Sequence, residues 1–204
     1  MNSNSEIKTF IFDCFGVICD PVISNWYKEK SLKHDFVDNK LSEILRDFDL
    51  GILSEDDLFE YFSKYKGVEL TRENIREEVD SYLRINIELV NIIKTLKNSG
   101  FKIVLLSNGN NSFFERKLFK VFPEFNELFD KLIISSNVGM VKPNSDIYLH
   151  TLEIANSQPE ESLFIDDSKI NIDAAVKLGI NGFVYTDNTS FINFLKKLNI
   201  DFSI

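Results

Sequence analysis

From Glu88 onward the chain alternates helical and strand-like stretches, and this alternation restricts the possible folds more than any other feature. Helical spacing over Glu88 to Asn98 gives way after Gly100 to an apolar strand at Lys102 to Leu106, then to SNGNN and a helix running through Phe119. A strand follows at Leu132 to Ser135, a helix at Ser145 to Ala155, a strand at Ser162 to Ile165 and a helix at Ile170 to Leu178. A short strand at Gly182 to Tyr185 and a helix near Phe191 to Leu198 end the pattern. Strands separated by helices of this length need right-handed crossovers and form a parallel sheet covered on both faces. The expected class is therefore α/β, with a Rossmann-like three-layer core.

The first strand lies far upstream, in KTFIFDCFGVICDP. Thr9 to Phe12 is β-branched and aromatic, as suits a strand buried on both faces, and Gly16 marks a turn. Asp13 stands at the carboxyl end of that strand, where open α/β sheets bind ligands. Between Pro21 and about Tyr82 the spacing becomes helical in LSEILRDF, EDDLFEYFSKY and ENIREEVDSYL, which predicts three or four helices. Ser54 before Glu55 to Asp57, and Thr71 before Glu73 and Asn74, place helix starts near 55 and 72. The division expected is a core of residues 1–19 and 84–204 with a helical insertion over 20–83. The insertion's aromatics, Trp26, Tyr27, Phe36, Phe48, Phe59, Tyr61, Phe62 and Tyr65, are expected mostly in its core, with one or two facing a pocket.

A chain of 204 residues is longer than a typical domain of roughly 100 to 150, which fits one core plus an insertion. No run approaches the roughly 20 apolar residues that span a bilayer, and MNSNSEIK has no apolar signal region, so a cytoplasmic protein without a membrane partner is expected. The net charge of −9 and the lack of a basic stripe make nucleic acid an unexpected partner. The two cysteines, Cys14 and Cys19, have no metal-like partners nearby and read as reduced structural thiols, with a redox role for Cys14 as the alternative.

Polar residues stand at three strand ends: Asp13, then Ser107-Asn108-Gly109, then Asp166-Asp167-Ser168. Lys142-Pro143 lies between the last two. Ends of parallel strands lie side by side, so these groups can share one crevice. Ser107-Asn108-Gly109 reads as a helix cap or as an anion site made of helix N–H groups and the Ser107 hydroxyl. Asp166-Asp167 reads as a solvated capping pair or, with Asp13, as a cluster whose repulsion is relieved by protonation or by a cation such as magnesium.

These stretches, FIFDCFGV, LLSNGN, GMVKPNSDIY and LFIDDSKINIDAAVKLGI, resemble the four motifs of the haloacid dehalogenase superfamily, in that family's order, and the insertion resembles its helical cap. The resemblance implies that Asp13 is a nucleophile forming a covalent aspartyl intermediate, and that Ser107 and Lys142 hold the transferring group. It also implies that Asn108, Gly109 and Phe15 lie on the substrate side. Magnesium (Mg2+) would be held by Asp13, the Phe15 carbonyl and Asp166 or Asp167, and the substrate would be a small, soluble, phosphorylated molecule.

One position departs from the pattern. Phosphatases of the superfamily carry a second aspartate two residues after the nucleophile as acid and base, and this chain has Phe15. Positioned acid–base catalysis is worth roughly 10²- to 10⁴-fold, so a slow phosphatase is expected unless another acid such as Asp20 reaches in. An aromatic there resembles the metal-independent 2-haloacid dehalogenases, which lack the acidic pair. A catalytically impaired binding module is the third reading.

Overall fold

A computed structural model of the protein describes residues 6–200. The first five and last four residues of the expected core spans, and most of MNSNSEIK, lie outside them. Strand β1 (Thr9–Phe12) leads into four helices: α1 (Val22–His34), α2 (Leu41–Asp49), α3 (Glu55–Phe62) and α4 (Arg72–Ser81). The chain then alternates through α5 (Ile87–Asn98) and β2 (Lys102–Ser107), followed by α6 (Asn111–Phe113), a π-helical turn at Phe114–Leu118, and α7 (Phe119–Val121). A 3₁₀ turn at Pro123–Leu128 leads to β3 (Lys131–Ile134), α8 (Ser135–Val138), α9 (Ser145–Ala155), β4 (Ser162–Asp166), α10 (Lys169–Lys177), β5 (Asn181–Val184) and α11 (Asn188–Lys197).

The five strands form one sheet in the order β3-β2-β1-β4-β5, and every pairing is parallel. Because side chains alternate along a strand, each strand serves two cores. Phe10, Phe12, Ile103, Leu105, Leu163 and Ile165 face one, which also takes in buried side chains of the insertion such as Trp26 and Phe59. Ile11, Val104, Leu106 and Phe164 face the other, under Ile147, Tyr148 and Leu152 of α9 and Ile172 and Ala175 of α10. The result is the three-layer α/β core expected.

In the insertion, Ser54 caps α3 with a full capping box and Thr71 caps α4, as their spacing predicted. Trp26, Phe48, Phe59 and Phe62 are buried. The Trp26 indole donates to Glu78 at 2.8 Å and Lys30 pairs with Glu78 at 2.8 Å, which joins α1 to α4. Among the described residues no helix is long and apolar enough to cross a membrane.

Two expectations need correction. The helix through Phe119 is broken into α6, the π turn and α7. A wider turn lets the adjacent Phe113 and Phe114 bury together with Leu118, which a 3.6-residue period does not favour, and Pro123 then ends the run. The third strand begins and ends one residue earlier than expected, and Ser135 opens α8, a turn of four residues closed by Gly139 at φ 64°. A segment that short leaves no periodic signal.

Candidate functional site

Strand register assembles the site. Phe12 pairs with Leu105 on one side and Ile165 on the other, so Asp13 leaves β1 level with Leu106 and Asp166. The Asp13 N–H donates to the Ile165 carbonyl at 2.9 Å, which extends the ladder to the catalytic-looking carboxylate. Residues more than a hundred positions apart thus meet at one edge. Asp13, Asp166 and Asp167 each offer a carboxylate oxygen, and these lie within 4.8 Å of one another.

Lys142 is buried among them. Its Nζ is 2.8 Å from Asp13 Oδ1 and 2.7 Å from Asp166 Oδ2. Burial alone would lower the Lys142 pKa, but the two carboxylates overcome it and hold the ammonium above the ordinary lysine value. Burial pushes the Asp13 carboxyl upward, Lys142 opposes this and Asp166 adds to it. Asp167 is raised by burial and by Asp166. Asp166 is fully engaged: Oδ1 accepts from the Ser168 N–H at 2.8 Å and Asn171 Nδ2 at 3.1 Å, and Oδ2 from Asn171 and Lys142. Asp13 Oδ1 also accepts from the Cys14 N–H at 2.7 Å.

Asp13 Oδ2, the Phe15 carbonyl and the Asp167 carboxyl receive no hydrogen bond from another residue among those described. These are hard oxygen donors of the type magnesium takes, and they sit where net negative charge is left over. The residues therefore fit the ion. Asp167 also packs on Gly16, where an added Cβ would stand 2.3 Å from its Oδ2 and φ is +90°, so only glycine fits that turn.

The loop after β2 differs from what its sequence implied. The Gly109 N–H donates to Ser135 Oγ at 2.9 Å and the Asn111 N–H to Ser136 Oγ at 2.9 Å, and α6 has three residues. Of the helix N–H groups that the sequence offered as an anion site, those of Gly109 and Asn111 are therefore taken within the protein. Ser107 is fully buried, its Oγ 3.2 Å from the Asn108 carbonyl. Asn108 makes a reciprocal pair with the Lys142 backbone: Nδ2 donates to its carbonyl at 3.0 Å and Oδ1 accepts its N–H at 2.9 Å. That pair holds the lysine loop in place. Ser168, Asn171 and Ser135 carry much of this geometry, although the sequence reads Ser135 only as a strand end, Ser168 as the last of three polar strand-end residues and Asn171 as part of the helix that follows.

Phe15 turns its ring toward Phe113 and Phe114, with centroids 5.7 Å away in each case. It lines a cavity of about 140 Å³ together with Asn108, Gly109, Phe113, Phe48 and Asp49. Phe48 is the insertion aromatic that reaches a pocket, and Asp49 is an acid the sequence did not single out. Asp20, the acid considered from sequence, is exposed and lines a different opening with Arg84 and Asp187. Cys14 and Cys19 are free and buried, and burial holds the Cys14 thiol far above its usual pKa, which argues against a reactive thiolate.

Residues 7–179 match the haloacid dehalogenase-like hydrolase family. The chain belongs to that family. Among haloacid dehalogenase-like relatives, a sesquiterpene phosphatase of Aspergillus oryzae is 26% identical, over 95% of this chain and 97% of its own. A D-ribitol-5-phosphate phosphatase of Bacteroides thetaiotaomicron is 27% identical, over 87% of this chain and 91% of its own. A solved HAD family enzyme of Bacteroides thetaiotaomicron has the same fold, with a TM-score of 0.77 at 23% identity, covering 93% of this chain and 99% of that one. Its complex with magnesium and inorganic phosphate superposes with a TM-score of 0.69 at 22% identity, over 91% and 98% of the two chains.

Proposed function

We propose that the protein is a magnesium-dependent phosphatase acting on a small phosphate monoester through an aspartyl intermediate on Asp13. One observation carries this reading: three carboxylates within 4.8 Å at the mouth of the sheet, two of them bridged by the buried Lys142. A divalent cation there supplies positive charge that favours ionised Asp13 and offsets charge on the phosphoryl oxygens. Phosphatases among the relatives, and a magnesium–phosphate complex in the same fold, support it.

In this reading a carboxylate oxygen of Asp13 attacks phosphorus, and the ester oxygen leaves with the bonding pair. Water then attacks the same phosphorus, the bond to Asp13 breaks, and inorganic phosphate leaves. Lys142 and the Ser107 hydroxyl hold the phosphoryl oxygens, and Lys142 offsets charge as it develops. Asp167 and the Phe15 carbonyl join Asp13 in holding magnesium, with Asp166 fixed behind them by Asn171 and the Ser168 amide. Residues 20–83 act as a cap that closes the crevice and selects the alcohol.

The aromatic Phe15 favours a metal-independent dehalogenase as the second reading, but such a site has no use for the acidic cluster. The test is hydrolysis of para-nitrophenyl phosphate. Activity is expected to need magnesium and to vanish in Asp13→Asn. Chloride release from 2-chloropropionate without metal would replace this reading, and absence of both reactions would leave a binding module.

A further inference from the structure

The missing acid has a structural substitute. We propose that Asp49, the last residue of α2, is the general acid that protonates the departing ester oxygen, in place of the carboxyl that Phe15 displaces; this rests on the phosphatase reading.

Placement is the first reason. Asp49 lines the same cavity as Phe15, two residues after Asp13, and as Asn108 and Gly109, which follow Ser107, and the proposal puts the departing alcohol in that cavity. The end of α2 is fastened there by side chains of the core. Ser135 Oγ donates to the Asp49 carbonyl at 2.6 Å while accepting the Gly109 N–H at 2.9 Å, so one hydroxyl ties Asp49 to the loop after β2. Asn110 Nδ2 donates to the carbonyls of Phe48 at 3.3 Å and Leu53 at 3.2 Å, on both sides of Asp49. Two residues on, Gly51 at φ +75° lies so close to α8 that an added Cβ would stand 2.9 Å from the Ser136 carbonyl.

Availability is the second reason. Four buried, half-buried or capping acids of the insertion are committed to structure: Glu55 and Asp80 to Arg116, Asp57 to the α3 cap, Glu78 to Trp26 and Lys30. The Asp49 carboxyl accepts no hydrogen bond among the described residues, although it is half-buried beside apolar side chains. Its position at a helix C-terminus sets it against the carbonyl end of the dipole, which disfavours the ionised form. Burial works in the same direction and pushes its pKa up to about 7, with the more distant Lys142 charge opposing. An acid so poised can give up a proton near neutral pH and take it back.

The step balances. As the Asp13–phosphorus bond forms and the ester bond breaks, the Asp49 proton moves to the leaving oxygen, so a neutral alcohol departs and Asp49 is left ionised. In the second half Asp49 takes a proton from the attacking water as the Asp13–phosphorus bond breaks, and both groups return to their starting forms.

The cavity is about the size that holds a benzene ring, and Val22, Ile23, Leu45, Phe48 and Phe113 help to line it, so aryl phosphates are suitable probes. Single-turnover release is measured with phenyl phosphate, whose phenolate needs a proton, and with dinitrophenyl phosphate, whose leaving group departs as an anion. In Asp49→Asn, phenol release is expected to fall by about 10²- to 10⁴-fold and dinitrophenol release to stay near wild type. Phe15→Asp added to Asp49→Asn is expected to restore phenol release. Equal loss on both substrates, or no loss on either, overturns the assignment. Asp13→Asn run alongside must abolish both releases; if it does not, the phosphatase reading itself fails.

Discussion

Lys142 Nζ stands 2.8 Å from Asp13 Oδ1, sealed from solvent. The same ammonium is 2.7 Å from Asp166 Oδ2, so one cation holds together two buried carboxylates that would otherwise repel. Removing one partner of a buried pair costs about 3–5 kcal/mol because the other is left uncompensated. Lys142→Met is therefore expected to lose phosphatase activity and to unfold at lower temperature. It should also gain more stability from added magnesium than the wild type does, since the ion then supplies the missing positive charge. Thermal melts with and without magnesium check both parts.

In the wild type, magnesium is expected to raise the melting temperature reversibly, and a chelator to undo the change. Binding to the folded state alone contributes about 2.7 kcal/mol at a hundred times the dissociation constant. Asp167→Asn should abolish most of that shift, because the Asp167 carboxyl has no other partner among the described residues. A shift as large in Asp167→Asn as in the wild type would place the ion elsewhere.

Asp38 is expected to set part of the acid stability of the insertion. It accepts from the Tyr65 hydroxyl at 2.6 Å, the Tyr61 hydroxyl at 2.9 Å and the Lys40 N–H at 2.8 Å. Burial pushes its carboxyl up, but the Tyr65 hydroxyl, the Lys40 amide and Tyr61 outweigh that and leave it below the usual value. A carboxylate depressed on folding contributes stability above its unfolded value of about 3.9, and the contribution is lost as pH falls through the depressed one. Asp38→Asn is expected to cost about 1–3 kcal/mol at neutral pH and to melt with a shallower dependence on pH below 4. Melts of both proteins across acidic pH check this.

Arg116 ties the core to the insertion. Its guanidinium bonds Glu55 of α3 at 2.9 Å and Asp80 of α4 at 2.6 Å, from within the π turn. The Glu55 side chain is only 8% exposed, so losing Arg116 leaves a nearly buried carboxylate with the weaker Arg76 contact at 3.6 Å. Arg116→Met is expected to destabilise by about 1.5–3 kcal/mol and to increase proteolysis of the insertion before the core unfolds. Limited proteolysis followed by mass analysis reads this directly.

Periodicity and turn chemistry along the chain were enough to predict a parallel α/β core, a helical insertion after β1 and helix starts at Ser54 and Thr71, because caps and apolar spacing act over three or four residues. The acidic strand ends and Lys142 were also legible, since a polar group that ends an apolar run is conspicuous wherever it occurs. The sequence could not show that the Gly109 and Asn111 amides are taken by Ser135 and Ser136, that the helix after β2 breaks into a π turn, or that Asp49 lines the cavity with Phe15 while Asp20 does not. Those facts depend on how α2 and α8 dock against the mouth of the sheet. Such contacts join residues dozens of positions apart through single side chains, and they leave no repeat or spacing in the chain from which to read them.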